Sequence, residues 1–401
     1  MRVTFKTVNA NIQKNISNRY SQLSRYQEQL STGKRLLRPS DDPVDVSNDM
    51  KLRTKLTQLK QFKRNMEDGL ARMNVSSTAM TSLNDLVHRM RELAVQASND
   101  TLIDTDRKYI QQEVDQLYRQ VVSVVNTKFK GEYVFNGTQI KIPPFEIGVS
   151  NNQMEDYANA TMCYYNADTL APGSTVQLLS GLNGTPVTNI FPGSFALEVR
   201  GTTYVEGTDY TVNYQTGEIT LNNVDLLADV TPGSANYALG EFSIKFDYIT
   251  RGKDIYGNTV SSKGEIQREI EEGISMTINI SADDMLKDEK SGVDMVGTLV
   301  RYSEALHTNN RNGIQNALDE LQYMFDAILQ SQSTVGAKVN RFETTLTRNE
   351  QQFVEVSALQ SELEDADMSE VISRYMLAEN VYNAALKTAS RIIQPSLADF
   401  L

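Results

Sequence analysis

The stretch VISRYMLAENVYNAALKTASRII (residues 371–393) carries small and aromatic side chains that alternate at spacings of four and three positions. This spacing places them on one face of an α-helix, and a stripe sustained over three heptads is typical of a coiled-coil seam. We therefore predict a helix that packs closely against another helix. The seam consists of Val371, Tyr375, Ala378, Tyr382, Ala385, Ala389 and Ile392.

A matching stripe lies at the other end of the chain, where apolar residues also recur at spacings of three and four. Residues 1–64 contain 14 Lys and Arg against 5 Asp and Glu, whereas residues 291–401 contain 8 against 15. The net charges of +9 and −7 favour association of the two ends. The N-terminal stripe consists of Val8, Ile12, Ile16, Tyr20, Leu23, Tyr26 and Leu30.

Long helical runs continue inward from both ends, because no proline lies between Pro43 and Pro143 or between Pro232 and Pro395. One-face stripes cover about residues 52–94, 110–124 and 314–363. The first break falls at STGKRLLRPSDDPVDV (31–46). There Gly33 is expected to end one helix, and Asp42 and Pro43 are expected to cap and begin the next.

The centre of the chain changes period. Residues 141–290 hold 14 of the 22 glycines and 6 of the 9 prolines. Apolar and polar residues alternate in SFALEVRG (194–201), DYTVNYQTGEITL (209–221), EFSIKFDY (241–248) and SMTINI (275–280), which predicts strands and hairpins.

The predicted fold is mainly α with an inserted β domain. Both chain ends form a long antiparallel helical bundle or coiled-coil rod, and a central β-rich domain projects from it. We predict three parts: terminal coiled-coil segments (1–45 plus 365–401), a helical rod domain (46–140 plus 290–364) and the β-rich domain (141–289).

Composition excludes several classes of function. The net charge of −12 argues against nucleic acid as a partner, and no stretch approaches the roughly 20 apolar residues of a membrane helix. The N-terminus lacks the apolar block and cleavage site of a secretory signal peptide. With one cysteine (Cys163) and two histidines (His88 and His307), we expect no metal site, no cofactor and no enzymatic activity.

Three local patterns point to sites but fit them poorly. STGK (31–34) lacks the earlier glycine and the following Ser or Thr of a phosphate loop. Asp283 and Asp284 are expected in a strand, where adjacent carboxylates point to opposite faces. Two acidic clusters lack the spacing of a calcium loop, so helix capping and a solvated face explain them better. They are Asp41, Asp42 and Asp45, and Glu362, Glu364, Asp365 and Asp367.

Three segments resemble the flagellin superfamily: QEQLSTGKRLLRPSDDPV (27–44), LVHRMRELAVQASNDT (86–101) and AALKTASRIIQPSLADFL (384–401). Two others, GEYVFNGTQIKIPPF (131–145) and GEIQREIEEGISMTINISADDML (264–286), are similar to the filament-side protein of the hook–filament junction. The resemblance covers roughly residues 1–145 and 260–401.

The resemblance implies a structural adaptor between the bacterial flagellar hook and the filament. It implies a ring of identical subunits, a neighbouring junction protein on the hook side and flagellin on the filament side. It also implies export without a cleaved signal peptide, through an N-terminal segment of about residues 1–30. A cytoplasmic export chaperone is expected at the C-terminal helix, about 365–401.

In this family the terminal segments pair as a coiled coil when subunits assemble. We therefore expect the two apolar stripes to have no cover inside one chain and to form contacts between subunits. The expected interface residues are Val8, Ile12, Ile16, Leu23, Leu30, Val371, Tyr375, Tyr382, Ala385, Ala389, Ile392 and Phe400.

Other interpretations remain open. The chain is alternatively a flagellin, a cytoplasmic coiled-coil scaffold, or the carrier of a surface-binding module or small hydrolase at 146–260. Arg89, Glu92 and Leu93 fall where an innate immune receptor recognises some flagellins, although ordinary helix-face packing within the rod is the interpretation that we favour.

Overall fold

The computed structural model describes residues 5–99, 102–153, 174–180, 185–199, 202–223, 242–252, 262–287 and 293–393. The chain divides into two compact units, Met1–Arg64 with Thr345–Leu401, and Asn65–Thr344. The three-part division predicted from the sequence stays a prediction. The helices are α1 (Phe5–Thr32), α2 (Pro43–Ala97), α3 (Asp104–Val125), α4 (Ala282–Leu286), α5 (Met295–His307), α6 (Arg311–Glu364) and α7 (Met368–Ile393).

The predicted fold class is confirmed, because long helices from both chain ends flank a strand-rich centre. Helix α2 has 55 residues and α6 has 54, and both contribute to the two units. Within the second unit, α2 and α6 run antiparallel. The amide of Asn84 donates to Gln332 at 2.8 Å. Earlier on α2, a Cβ on Gly69 would lie 3.1 Å from the ring of Phe342, which comes later on α6.

The core of the second unit consists of the helical stripes that the sequence predicts. Met73, Met80, Leu83 and Val87 of α2 are completely or almost completely buried, and they pack with apolar residues of α3, α5 and α6. The methionines therefore fill the core, as their helical spacing predicts.

The strands are short and antiparallel. Two sheets carry most of them, with the orders β3-β11-β7-β8 and β4-β10-β9. Strands form in each of the four predicted segments, at 196–199, 210–213, 218–221, 242–251 and 274–277, although the predicted strand at 275–280 ends at Thr277. The strands are β1 (Lys128–Phe129), β2 (Glu132–Tyr133), β3 (Phe145–Gln153), β4 (Ser174–Gln177), β5 (Leu179–Ser180), β6 (Thr185–Pro186), β7 (Ala196–Val199), β8 (Thr202–Thr203), β9 (Tyr210–Asn213), β10 (Glu218–Leu221), β11 (Phe242–Arg251), β12 (Gln267–Glu271) and β13 (Ile274–Thr277).

Helix α3 packs against the strand-rich region. The rings of Tyr118 and Phe191 lie 4.6 Å apart, and the guanidinium of Arg119 lies 5.0 Å from the centre of the Phe191 ring. Arg119 also forms an ion pair with Asp247 of β11. Aromatic packing and one ion pair thus attach the sheet to the helix.

One local prediction is wrong. Asp283 and Asp284 lie in the first turn of α4 and not in a strand. The hydroxyl oxygen of Ser281 accepts from the backbone N–H of Asp284 at 3.0 Å, which caps this helix. Asp283 forms an ion pair with Arg251. The helix cap at Asp284 and the ion pair of Asp283 are therefore contacts that the strand assignment did not predict.

The hairpin of β9 and β10 depends on Gly217, which has a φ of +73°. A Cβ on Gly217 would overlap the carbonyl oxygen of Val187. Gly207, at a φ of +87°, has open space around the position of a Cβ. Two glycines thus share a left-handed backbone and differ only in their surroundings.

We expect Gly217→Ala to destabilise the hairpin by roughly 3 kcal/mol, because it adds an overlap to the left-handed strain. Gly207→Ala, the control, is expected to cost roughly 1 kcal/mol. Hydrogen–deuterium exchange at the amides of β9 and β10 measures both free energies of opening. Equal effects would contradict the importance of the Val187 contact.

Candidate assembly site of the terminal helices

The turn between α1 and α2 forms as the sequence predicts. Gly33, at a φ of +70°, ends α1 and donates its N–H to the carbonyl of Gln29 at 2.8 Å. The carboxylate of Asp42 accepts from the N–H groups of Val44 and Asp45 at 3.0 and 3.2 Å, which caps α2 at Pro43. Helix capping therefore accounts for Asp42, and the phosphate-loop interpretation of STGK has no support.

The turn between α6 and α7 meets the first turn through Glu364. The Glu364 side chain is 6% exposed, and its carboxylate forms ion pairs with Lys34 and Arg53. Its second oxygen accepts from the amide of Gln360 at 2.9 Å. A carboxylate that has lost its water needs this combination of positive charges and hydrogen bonds.

Backbone hydrogen bonds join the same two turns. The N–H of Arg35 donates to the carbonyl of Glu364 at 2.7 Å, and the N–H of Ala366 donates to the carbonyl of Gly33 at 2.9 Å. The guanidinium of Arg35 donates to the carbonyl of Leu363 at 2.9 Å. Segments more than 300 residues apart in the sequence are thus fixed in register.

The acidic cluster at 362–367 is only partly explained by its predicted role. Asp367 caps α7, since it accepts from the N–H groups of Ser369 and Glu370 at 2.9 and 3.2 Å. A solvated face is wrong for Glu364, which is buried. Among the described residues, no group of three or more His, Cys, Asp or Glu side chains is arranged to hold a metal ion.

Helices α1 and α7 pair with each other from these turns onward. They run antiparallel, because Gly33 meets Ala366 at one end and the rings of Tyr20 and Tyr382 lie 6.0 Å apart further along. The predicted interface residues with described side chains are all half-buried or buried. They are Ile12, Ile16, Leu23, Leu30, Val371, Tyr375, Tyr382, Ala385 and Ala389.

The expectation that these stripes lack cover inside one chain is wrong, because each helix partly covers the stripe of the other, although Tyr20 of the α1 stripe stays 59% exposed. As contacts between subunits, the same residues stay a prediction. Val8 and Ile392 lie on α1 and α7, but their side chains are outside the described part of the structure, as is the whole of Phe400.

Helix α7 has further apolar residues that do not face α1. Their side chains are 37% to 66% exposed, which is unusual for so many large apolar groups on one helix. The sequence contains a signal for this surface, since a helix that is apolar on more than one side is normally buried on more than one side. The exposed set consists of Met368, Ile372, Met376, Leu377, Val381 and Leu386.

Both ends of the chain match known proteins. The model of the bacterial flagellin N-terminal helical region matches residues 3–140, and that of the C-terminal helical region matches residues 318–401. Together the two matches cover more than half of the chain. The chain belongs to the bacterial flagellin family.

One relative of this flagellin-family protein is a flagellin of Clostridium tyrobutyricum, which is 24% identical over 371 residues. The alignment covers 91% of this chain and 92% of that flagellin. Flagellar hook-associated protein 3 of Escherichia coli K12 is 30% identical over 131 residues, which are 32% of this chain and 41% of that protein. A solved structure of a flagellar hook-associated protein from Vibrio parahaemolyticus covers 81% of this chain, and this chain covers all of it, with a TM-score of 0.49 and 13% identity.

The flagellin-family protein is thus a structural protein of the bacterial flagellum. The family matches include both turns that meet at Glu364 and the whole of α7. In the described part of the chain, no helix combines the length and apolar character needed to cross a bilayer.

The segment with Arg89, Glu92 and Leu93 packs as an ordinary part of the helices. Arg89 donates to Glu113 of α3 at 2.7 Å and to Glu92 at 3.1 Å. The side chain of Leu93 is 2% exposed. Only the two charged residues of this trio are therefore at the surface.

We expect Glu364→Gln to lower the free energy of unfolding of the first unit by about 1–2 kcal/mol, because two partly exposed cations lose their shared carboxylate. Glu350→Gln is the matched control. Glu350 also pairs with a lysine, Lys63, at 2.8 Å, but both side chains are about half exposed. We expect its loss to cost less than about 0.5 kcal/mol.

Hydrogen–deuterium exchange at the amides of α1 and α7 measures both effects in the full chain. Equal protection in the two variants would show that Glu364 does not hold the turns together.

Proposed function

We propose that this protein joins the flagellar hook to the filament, as a ring of identical subunits on the filament side of the junction. One observation carries the assignment to the junction. The two segments that resemble junction proteins, 131–145 and 264–286, are far apart in the sequence but pack on each other. The N–H of Ala282 donates to the carbonyl of Phe135 at 2.7 Å.

Further contacts tie these two segments together closely. Gly264 has a φ of +128°, and a Cβ there would lie 2.7 Å from the hydroxyl of Thr138. A Cβ on Gly137 would lie 2.5 Å from the carbonyl oxygen of Ser262. Phe135 and Asn136 are buried beneath this contact. The two segments that resemble junction proteins therefore form one packed contact in this structure. This supports the view that the whole contact is shared with junction proteins.

The proposed mechanism is geometric. The pair of α1 and α7 presents the exposed apolar side chains of α7, which lie on more than one side of the helix, to neighbouring subunits. Each square ångström buried there contributes roughly 25 cal/mol. Neighbours on the hook side and on the filament side offer different surfaces, so one ring joins two different assemblies. The inferred neighbours are another copy of this chain, a hook-side junction protein and flagellin.

The same apolar face suits an export chaperone before assembly. A helix with an uncovered apolar side is prone to associate in the cytoplasm, and a chaperone that covers residues 365–401 would prevent this. Export through the flagellar type III apparatus, directed by about residues 1–30, is part of this proposal.

The second candidate function is that of a flagellin, the bulk subunit of the filament. The match to the C. tyrobutyricum flagellin over 91% of this chain favours it. A third, a surface-binding role for the β-rich region, has no specific observation in its favour.

Immunogold electron microscopy of intact flagella distinguishes the first two candidates. The antibody is raised against residues 146–260, which neither flagellin model matches. A narrow gold band at the distal end of the hook is expected for a junction protein. Gold along the whole filament would make the chain a flagellin.

Substitutions on α7 test the assembly surface. We expect Met376→Asp to leave α1 and α7 paired and to block assembly, because the charge enters an interface between subunits. Tyr382→Asp is expected to separate α1 from α7 as well, while the β-rich region stays folded. Asn380→Asp is the control, since Asn380 is exposed and polar on the same helix.

Filament growth in cells reports assembly, and hydrogen exchange of α1 reports pairing. Normal filament growth with Met376→Asp would contradict the proposed role of the exposed face.

A further inference from the structure

His307, the last residue of α5, lies between two oxygen acceptors. Its Nδ1 is 3.4 Å from Oε1 of Gln111 on α3. Its Nε2 is 3.2 Å from Oε2 of Glu206, in the turn before β9. Three elements of the second unit therefore meet at one imidazole ring.

The orientation of the Gln111 amide is fixed by its other contacts. Its Nε2 donates to the carbonyl of Pro192 at 3.0 Å, and the residue is buried. Because a proline carbonyl can only accept, the oxygen of the amide must face His307. Glu206 is likewise held in place, since its Oε2 accepts from the hydroxyl of Tyr214 at 2.5 Å.

A neutral imidazole carries one N–H and therefore donates to only one of the two oxygens. An imidazolium carries two and donates to both, and its hydrogen bond to the carboxylate becomes charge-assisted. The ring is also close to the aromatic ring of Tyr214, at 6.3 Å between centroids. The ring can therefore donate hydrogen bonds to both Gln111 and Glu206 only when His307 is protonated.

We propose that Gln111, Glu206 and His307 form a proton-operated latch, which fixes the hairpin of β9 and β10 to helices α3 and α5 more firmly when the imidazole is charged. Histidine is the side-chain type whose charge ordinarily changes between pH 5 and 8, so acidification across this range is the condition under which the latch is tested.

The charged groups around the latch favour a cation. Three carboxylates lie near the ring: Asp115 on α3, Glu206 in the turn before β9 and Glu304 on α5. Two cations act on these carboxylates: Arg301 of α5, which is engaged by Glu320 of α6, and Arg119 of α3, which is engaged by Asp247 of β11. Another cation, Arg107 of α3, donates to Asn309.

Asp115 adds a second proton-dependent group. Burial raises the pKa of Asp115 to about 6, although the hydroxyl of Ser303 donates to its carboxylate at 2.7 Å. Because the pKa is higher in the folded state than in the unfolded chain, Asp115 makes folding more favourable as the pH falls from above 6 towards 4. Burial also raises the pKa of Glu304, with the same sign. A test of the latch must therefore separate His307 from these carboxyls.

Three variants of the full chain, compared with the unmodified protein, separate the effect of His307 from that of Asp115. Hydrogen–deuterium exchange is measured at pH 8.0 and 5.5 for the amides of residues 210–221 and is corrected for the intrinsic rates. In the unmodified protein we expect protection to rise roughly tenfold on acidification. His307→Gln and Glu206→Gln are expected to lose most of this rise, while Asp115→Asn is expected to keep the part due to His307.

The chain provides its own control histidine. His88 is 61% exposed on α2 and lies 3.4 Å from Glu92, also a glutamate. His88→Gln should therefore retain the full rise in hairpin protection. A rise in His307→Gln equal to that of the unmodified protein would overturn the latch.

A second measurement needs no substitution. With only two histidines in the chain, NMR resolves the ring protons of His307 and follows their titration. The amide signals of the hairpin are expected to shift with the same midpoint as the ring. Hairpin signals that do not respond while His307 titrates would overturn the proposal even if every variant failed to fold.

Discussion

The carboxylate of Glu364 is buried between Lys34 and Arg53, and the arrangement of the terminal helices depends on this contact. A charged group without water is tolerated only where its counter-charges are fixed, so the turns after α1 and before α7 must meet in one register. The backbone hydrogen bonds between Gly33 and Ala366 and between Arg35 and Glu364 then fix the direction of both helices. The pairing of Tyr20 with Tyr382 follows from that starting point.

This pairing changes the role of the apolar stripes. The seam of α7 is used inside the chain, against α1. Other apolar side chains of α7, such as Ile372, Met376 and Val381, stay exposed, and we propose that they contact other subunits. A subunit built in this way keeps its terminal helices together and still offers an adhesive surface. That combination fits the proposed function, in which single subunits are exported and then assemble.

The second unit combines rigid and adjustable parts. Methionine and leucine side chains of α2 are sealed in an apolar core, which does not respond to pH. The attachment of the strand-rich region is different, because it includes a partly buried histidine, several carboxylates and the Arg119–Asp247 pair. Polar contacts of this kind respond to pH, whereas the apolar helical core does not.

Local patterns in the sequence were sufficient for much of this protein. Helical period, the glycine at position 33 and the cap at Asp42 determined the helices of both chain ends, and period-two alternation determined most of the main strands. Each of these signals acts within a few residues, so the sequence alone reveals it. The sequence also contained the family resemblance, which the matches at both ends confirm.

Only the tertiary structure decided which surfaces meet. It buried Glu364 where a solvated face was expected, placed Asp283 and Asp284 in a helix, and turned the predicted interface of α7 towards α1. It also brought His307 to Glu206 and Gln111. For Glu364, α7 and His307 the physical reason is that burial and pairing depend on residues roughly 100 to 360 positions away. A local pattern shows only that a face is apolar or charged, and not what covers it.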